Sequence, residues 1–141
     1  MSVVSLRTLE TKFHKQLKAF LKDLILVFPS DRDIKVISSS INIAMMDDPE
    51  HQIIYGFYDV IAPYKELIGS RDDTFFRLDP VEIVSKWSQQ TSQYQLFNKL
   101  NIYWETLNDT NREIVWDYFQ LLYNLSSDFI NYTSPSSSFS N

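Results

Sequence analysis

Few residues in this sequence are of the types, and at the spacing, that metal binding or acid–base catalysis requires. The two histidines, His14 and His51, lack the histidine or cysteine neighbours that build a metal site on a helix or hairpin, so the sequence predicts no metal. His51 follows the acidic run Asp47-Asp48-Pro49-Glu50, whose carboxylates could hold a hard cation or transfer protons. The run lacks the alternating ligands and central glycine of a calcium loop, so helix capping is the favoured interpretation.

Motifs of enzyme active sites are also missing. Gly56 and Gly69 are the only glycines, which excludes a glycine-rich phosphate loop. The chain has no cysteine, and no serine lies in a GxSxG or SxxK motif. The sequence therefore predicts a protein that is not an enzyme, with no catalytic residue and no cofactor. A site assembled from dispersed residues is the alternative.

Charge is unevenly distributed along the chain. The net charge of the whole chain is −5, whereas residues 1–28 have five cations and only two carboxylates. At about 100° per residue, the cations of a helix here would share one sector, nearly opposite the apolar stripe. We call this set the basic face, and it consists of Arg7, Lys12, Lys15, Lys18 and Lys22. Such a face either binds an anionic partner or is the solvated side of an ordinary helix.

Helices are the elements predicted to position these residues. Apolar residues recur at intervals of three and four from Leu6 to Phe28, and Pro29 ends the pattern. Two further helices are predicted to begin after Ser30-Asp31 and at Asp47-Asp48-Pro49-Glu50, the second with a kink at Pro63. A short helix is predicted after Asp79-Pro80 as far as Val84 and Trp87, and another over Tyr94 to Leu107. The last is predicted to begin with a capping box at Thr110-Asn-Arg-Glu113. The segment from Gly69 to Pro80 has no helical period and is predicted to be a loop.

The fold class follows from this pattern and from the composition. An aromatic content of 15% with only two glycines favours a compact all-α bundle of five or six helices, whose long N-terminal and C-terminal helices pack on each other. Residues 1–132 are predicted to form a single domain, and the Ser-rich segment 133–141 a disordered tail. No apolar run approaches the roughly 20 residues of a membrane span, and the start lacks a signal-peptide pattern. We therefore expect a soluble protein that is not secreted.

Aromatic residues are frequent in the second half of the chain. Residues 94–132 have only Lys99 and Arg112 as cations, which disfavours base stacking on a basic surface and favours packing in a core or an interface. Because tryptophan and tyrosine often anchor protein interfaces, four of them are candidate interface residues. These are Tyr103, Trp104, Trp116 and Tyr123.

Two segments carry a resemblance to a known group of proteins. KFHKQLKAFLKDLILVFPSDRDIK near the N-terminus and NREIVWDYFQLLYNLSSDFI near the C-terminus resemble short helical proteins of nucleocytoplasmic large DNA viruses. The two matches cover about a third of the chain, and the middle, from Val36 to Thr91, has no counterpart. The resemblance brings no catalytic residues. It implies a viral origin and either a structural role in the virion or an accessory interaction role.

These observations predict a non-enzymatic structural or protein–protein interaction protein. With the resemblance, it would be a minor capsid or other virion-associated component that binds capsid or virion proteins or a second copy of itself. Its expected location is the virion or the host cytoplasm or nucleus. The alternative is a nucleic-acid-associated accessory protein that uses the basic face to contact phosphates.

Overall fold

A computed structural model describes residues 3–83 and 91–133, with side chains from residue 6 onward. The described residues form an all-α fold without β-strands, which confirms the predicted fold class. The helices are α1 (Val3–Val27), α2 (Arg32–Met46), α3 (Gln52–Ile61), α4 (Lys65–Gly69), α5 (Pro80–Ile83), α6 (Ser92–Tyr103) and α7 (Asp109–Thr133). Short 3-10 turns occupy Ala62–Tyr64, Asp73–Arg77 and Trp104–Thr106. The predicted tail beyond Thr133 and the predicted helical positions Val84 and Trp87 lie outside the described residues.

The two long helices, α1 and α7, form the most extensive contact between elements, as the sequence predicted. The Phe20 ring on α1 meets the Phe119 ring on α7 edge to face, with centroids 5.8 Å apart. Beside it, the Tyr118 hydroxyl donates a hydrogen bond to Asp23 Oδ2 at 2.6 Å. Burial, followed by this bond, raises the pKa of Tyr118 to about 12. The hydrogen bond between Tyr118 and Asp23 therefore adds a polar contact beside the aromatic contact of α1 with α7.

The segment from Gly69 to Pro80 was predicted to be a polar loop, and this prediction is wrong for its centre. Phe75 and Phe76 lie in a 3-10 turn and are buried in the core. Phe76 stacks on Trp104, with ring centroids 4.2 Å apart, and meets the Phe119 ring at 5.0 Å. A turn of five residues is too short to show a period in the sequence, although its two adjacent aromatic residues indicated burial.

Helix α3 begins later than the sequence predicted. Its first residue is Gln52, so Pro49 lies before the helix and not in its first turn. The predicted carboxylate cap is present, because the two oxygens of Asp48 accept hydrogen bonds from the amides of Gln52 at 2.8 Å and Ile53 at 3.0 Å. His51, which directly precedes the first residue of α3, has a left-handed backbone with φ of 58°. Further along, the 3-10 turn at Ala62–Tyr64 produces the interruption predicted at Pro63.

The start of α7 also differs from the predicted capping box. Asn108 Oδ1 accepts a hydrogen bond from the Asn111 amide at 2.8 Å, so the cap lies two residues before Thr110. Glu113 instead pairs with Arg71, on the turn after α4. No helix among the described residues combines the length and the apolarity needed to cross a membrane.

The packing of α1 on α7 predicts that Leu17→Asp abolishes folding. Leu17 is only 6% exposed, and an unpaired carboxylate there costs several kcal/mol, comparable with the whole stability of a domain. The matched control is Leu26→Asp on the same helix, where the side chain is 69% exposed and the expected change is within about 0.5 kcal/mol. Circular dichroism during thermal unfolding measures both, and an unchanged melting temperature for Leu17→Asp would contradict the packing.

Candidate functional site

The basic face is exposed along its whole length. All five of its cations have exposed side chains, and none forms an ion pair with another described residue. From Arg7 to Lys22 it extends over about 22 Å of helix, at about 1.5 Å per residue. The sequence predicted this face, and the structure places it on the solvent side of α1.

Four cations elsewhere are neutralised by carboxylates within the fold. Arg71 pairs with Glu113 and Asp117 of α7, and Arg112 pairs with Asp73 at 3.1 Å. The other two pairs are Arg77 with Glu105 at 2.5 Å and Lys99 with Asp31 at 2.9 Å. Carboxylates of the acidic remainder therefore satisfy these four cations. The cations of the basic face have no such partner among the described residues, and neither do the exposed Arg32, Lys35 and Lys65, which lie outside α1.

An apolar groove lies at the C-terminal end of the basic face. It has a volume of about 260 Å³ and runs between the last turns of α1 and the first turns of α7. Leu26, one turn beyond Lys22, forms one wall, and Leu107 and Ile114 contribute to the opposite side. The apolar residues 24–28, which precede Pro29, therefore have different environments. Leu24 packs in the core, whereas Leu26 is exposed beside the groove.

Two of the candidate interface aromatics belong to the core. Trp104 and Trp116 are 0% and 1% exposed, and their rings meet at a centroid distance of 5.8 Å. The Trp116 indole donates a hydrogen bond to Asp73 Oδ1 at 3.1 Å. A partner that binds the folded domain does not reach these two side chains, so they serve packing in this structure.

Tyr103 and Tyr123 are half-buried and already have partners. The Tyr103 hydroxyl donates a hydrogen bond to Asp31, whose carboxylate also accepts from Lys99 Nζ at 2.9 Å. Tyr123 stacks on Tyr58, with ring centroids 6.1 Å apart. The bond from Tyr103, supported by Lys99 and opposed by partial desolvation, lowers the pKa of Asp31 to about 2. This contact joins the α1–α2 turn to α6.

The structure brings both histidines to one cluster of carboxylates, which the sequence did not predict. Glu10 and His14 lie one turn apart on α1, and Asp48 and His51 lie in the turn between α2 and α3. His51 Nδ1 is 2.6 Å from Glu10 Oε2. Glu10, His14 and Asp48 each place one potential ligand atom within 4.8 Å of the other two. We call these four residues the histidine–carboxylate cluster.

His14 has an unusual environment within this cluster. Its Nε2 atom is buried and has no hydrogen-bond partner among the described residues. Burial lowers the pKa of His14, although the charges of Glu10 and Asp48 act in the opposite direction. Burial therefore favours the neutral imidazole, and one of its nitrogens lacks a hydrogen-bond partner among the described residues.

The sequence did contain signals for this cluster. Glu10 and His14 are four residues apart in a secure helix, so their side chains share one face. The prediction of no metal rests on the lack of histidine and cysteine neighbours and on the interpretation of the acidic run beside His51 as a helix cap. Asp48 performs that capping and contributes to the cluster as well.

Comparisons with protein-family models, with curated proteins and with solved structures gave no match to this chain. The resemblance to helical proteins of large DNA viruses therefore stays an interpretation of the two sequence segments that carry it.

The Asp31 contact predicts a defined pH dependence. Because the pKa of Asp31 falls from 3.8 to about 2 on folding, its stabilisation is complete above about pH 4 and is lost as the pH falls through about 2. Asparagine still caps α2, so Asp31→Asn removes mainly the charge and should cost about 2 kcal/mol near neutral pH. Denaturant unfolding of both proteins between pH 6 and pH 2 measures this cost, which should shrink across the window.

Asp33→Asn is the matched control. Asp33 also pairs with Lys99, at 3.2 Å, but its side chain is 76% exposed, so we expect little change in stability at any pH. An equal cost for the two variants, or a cost of Asp31→Asn that does not change with pH, would contradict the interpretation of Asp31.

Proposed function

We propose that this protein is a non-enzymatic interaction protein whose basic face binds an acidic segment of a partner protein. The observation that carries the proposal is the row of five exposed cations on α1, none paired with a described residue, in a chain of net charge −5. Unneutralised cations on one helix face attract a complementary anionic surface and orient it during encounter.

The neighbouring groove indicates what such a partner has to offer. Exposed ion pairs contribute only about 0–1 kcal/mol each, so the basic face alone supports weak binding. Full burial of a leucine-sized or phenylalanine-sized side chain contributes about 1.5–3 kcal/mol. The groove beside Leu26 and Ile114 can accept one such side chain. A partner segment with carboxylates and an apolar anchor at its end therefore matches both parts of the surface.

Nucleic acid is the second candidate partner, because lysines spaced along a helix can follow a row of phosphates. Two observations favour protein. The remainder of the chain is acidic and repels a long polyanion, and the surface at the end of the basic face is an apolar groove. The groove is lined mainly by apolar side chains and has no cation among its lining residues to pair with a phosphate.

We further propose that the partner is a protein of a virus particle, with this chain as a minor capsid or virion-associated component. The support is the resemblance of residues 12–35 and 111–130 to helical proteins of nucleocytoplasmic large DNA viruses. These segments also contain most of the basic face and part of each wall of the groove, since Leu26 and Ile114 belong to them. The resemblance and the candidate surface thus involve the same residues.

The binding surface predicts selective capture of an acidic amphipathic peptide. The probe is a labelled helical peptide with glutamates on one face and a leucine and a phenylalanine at one end, measured by fluorescence anisotropy at low salt. Lys15→Glu, Lys18→Glu and Lys22→Glu together should weaken binding about tenfold or more, as expected for three exposed ion pairs of roughly 0.5 kcal/mol each. Leu26→Ser should weaken it through loss of the groove wall.

A second triple variant controls for net charge. Arg32→Glu, Lys35→Glu and Lys65→Glu change the charge equally at exposed sites outside α1 and should leave peptide affinity within about twofold. Equal losses in both triple variants, or no binding by the wild type, would contradict the proposal. A salt-dependent gel shift with duplex DNA that requires the basic face, without peptide binding, would establish the nucleic-acid alternative in its place.

A virion role predicts where the protein is found. Mass spectrometry of purified particles, and of the cells that produce them, should detect the chain in the particles at a constant ratio to the major capsid protein. Detection only in the cells, with none in purified particles, would count against the virion role and leave the acidic-partner proposal to the peptide assay.

A further inference from the structure

We propose that the histidine–carboxylate cluster is a binding site for a divalent transition metal ion of the Zn²⁺ type. Glu10, His14 and Asp48 already place three potential ligand atoms within 4.8 Å of one another. His51 approaches the same carboxylate, with Nδ1 2.6 Å from Glu10 Oε2. Glu10, His14 and Asp48 form the core of the proposed site, and we assign His51 as its fourth ligand, which requires its ring to exchange the contact with Glu10 for the ion.

The ligand types select the class of ion. Calcium and magnesium prefer sites made of oxygen ligands, whereas imidazole nitrogens suit zinc and its neighbours among the transition metals. Zinc bonds to histidine nitrogen and carboxylate oxygen are about 2.0–2.2 Å long, so tetrahedral ligand atoms lie about 3.4 Å apart. Binding would require the ligand atoms of Glu10, His14 and Asp48, which lie within 4.8 Å of one another, to adopt this spacing. It would also require His51 Nδ1 to move away from Glu10 Oε2, which is only 2.6 Å distant.

The backbone holds these ligands in position. Glu10 and His14 share one face of α1, which is the spacing used by paired ligands on metal-binding helices. Asp48 is fixed by its hydrogen bonds to the Gln52 and Ile53 amides, and ligating carboxylates in metal sites are commonly supported by such bonds. His51, which has a left-handed backbone with φ of 58°, places its ring against Glu10 of α1.

Two further features distinguish the cluster from an ordinary surface ion pair: a buried nitrogen without a partner and a contact with the aromatic core. The buried Nε2 atom of His14 has no hydrogen-bond partner among the described residues, and an unsatisfied buried nitrogen is costly unless it gains a ligand. The His51 ring packs against the fully buried Phe129 of α7, with centroids 5.5 Å apart. This apolar contact covers one side of the His51 ring, whose side chain is 39% exposed, and helps to fix the orientation of the ring.

A bound ion would have a structural role. With His51 as the fourth ligand, the site has no open position for a substrate, which is the arrangement of structural zinc sites. The bonds would tie α1 to the turn between α2 and α3. The site is independent of the proposed binding of an acidic partner, because none of its four residues belongs to the basic face.

The test is a thermal and spectroscopic titration of the full chain after removal of metal with EDTA and dialysis. Zn²⁺ at about a hundredfold free excess over its dissociation constant should raise the melting temperature by roughly 5–10 °C, and EDTA should reverse the shift. Co²⁺ should produce the visible absorption bands of tetrahedral coordination. Glu10→Gln and His14→Gln, which keep the side-chain size, should each weaken Zn²⁺ binding in calorimetry by about tenfold or more.

Asp47→Asn with Glu50→Gln is the control, because these exposed carboxylates adjoin the cluster without belonging to it. This double variant should retain the Zn²⁺ shift and the Co²⁺ spectrum. The proposal is overturned by the absence of both signals in the wild type, by undiminished Zn²⁺ affinity in the His14→Gln, His51→Gln double variant, or by tighter binding of Ca²⁺ than of Zn²⁺. The melting temperatures without metal show separately whether each variant folds.

Discussion

The packing of α1 against α7 is the constraint on which the rest of the structure depends. Phe20 and Phe119 meet in this contact, and Phe119 also contacts Phe76 and Phe97, so the contact is continuous with the rest of the aromatic core. Because the apolar stripe of α1 packs against α7 and also against α2 and α3, α1 exposes its opposite side, where the cations lie. The groove beside Leu26 exists because the same two helices lie next to each other at that end.

The amino-acid pattern predicted the long helices well, because apolar residues repeat over many turns and proline marks the boundary at Pro29. It predicted the short elements poorly. The turn that buries Phe75 and Phe76 has no room for a period, and the start of α7 depends on whether Asn108 or Thr110 provides the cap. Such local choices are decided by tertiary contacts, such as the pairing of Glu113 with Arg71.

The candidate site divides in the same way. The basic face lies on one helix, so helical spacing alone was enough to predict it. The histidine–carboxylate cluster combines α1 with a turn about 35 residues later in the chain, and only the packing of the helices brings Glu10 to His51. Burial of Trp104 and Trp116 could not be separated from interface exposure in the sequence, because the same residues favour both environments.

The contact between α1 and α7 joins residues about a hundred positions apart, and this separation has a consequence during synthesis. Phe20 leaves the ribosome long before Phe119 is made, and at about 5–20 residues per second the interval is roughly 5–20 s. For that time the apolar stripe of α1 has no α7 to cover it. During this interval the exposed stripe can associate with apolar segments of other chains. Repulsion between the basic faces of neighbouring nascent chains opposes such association.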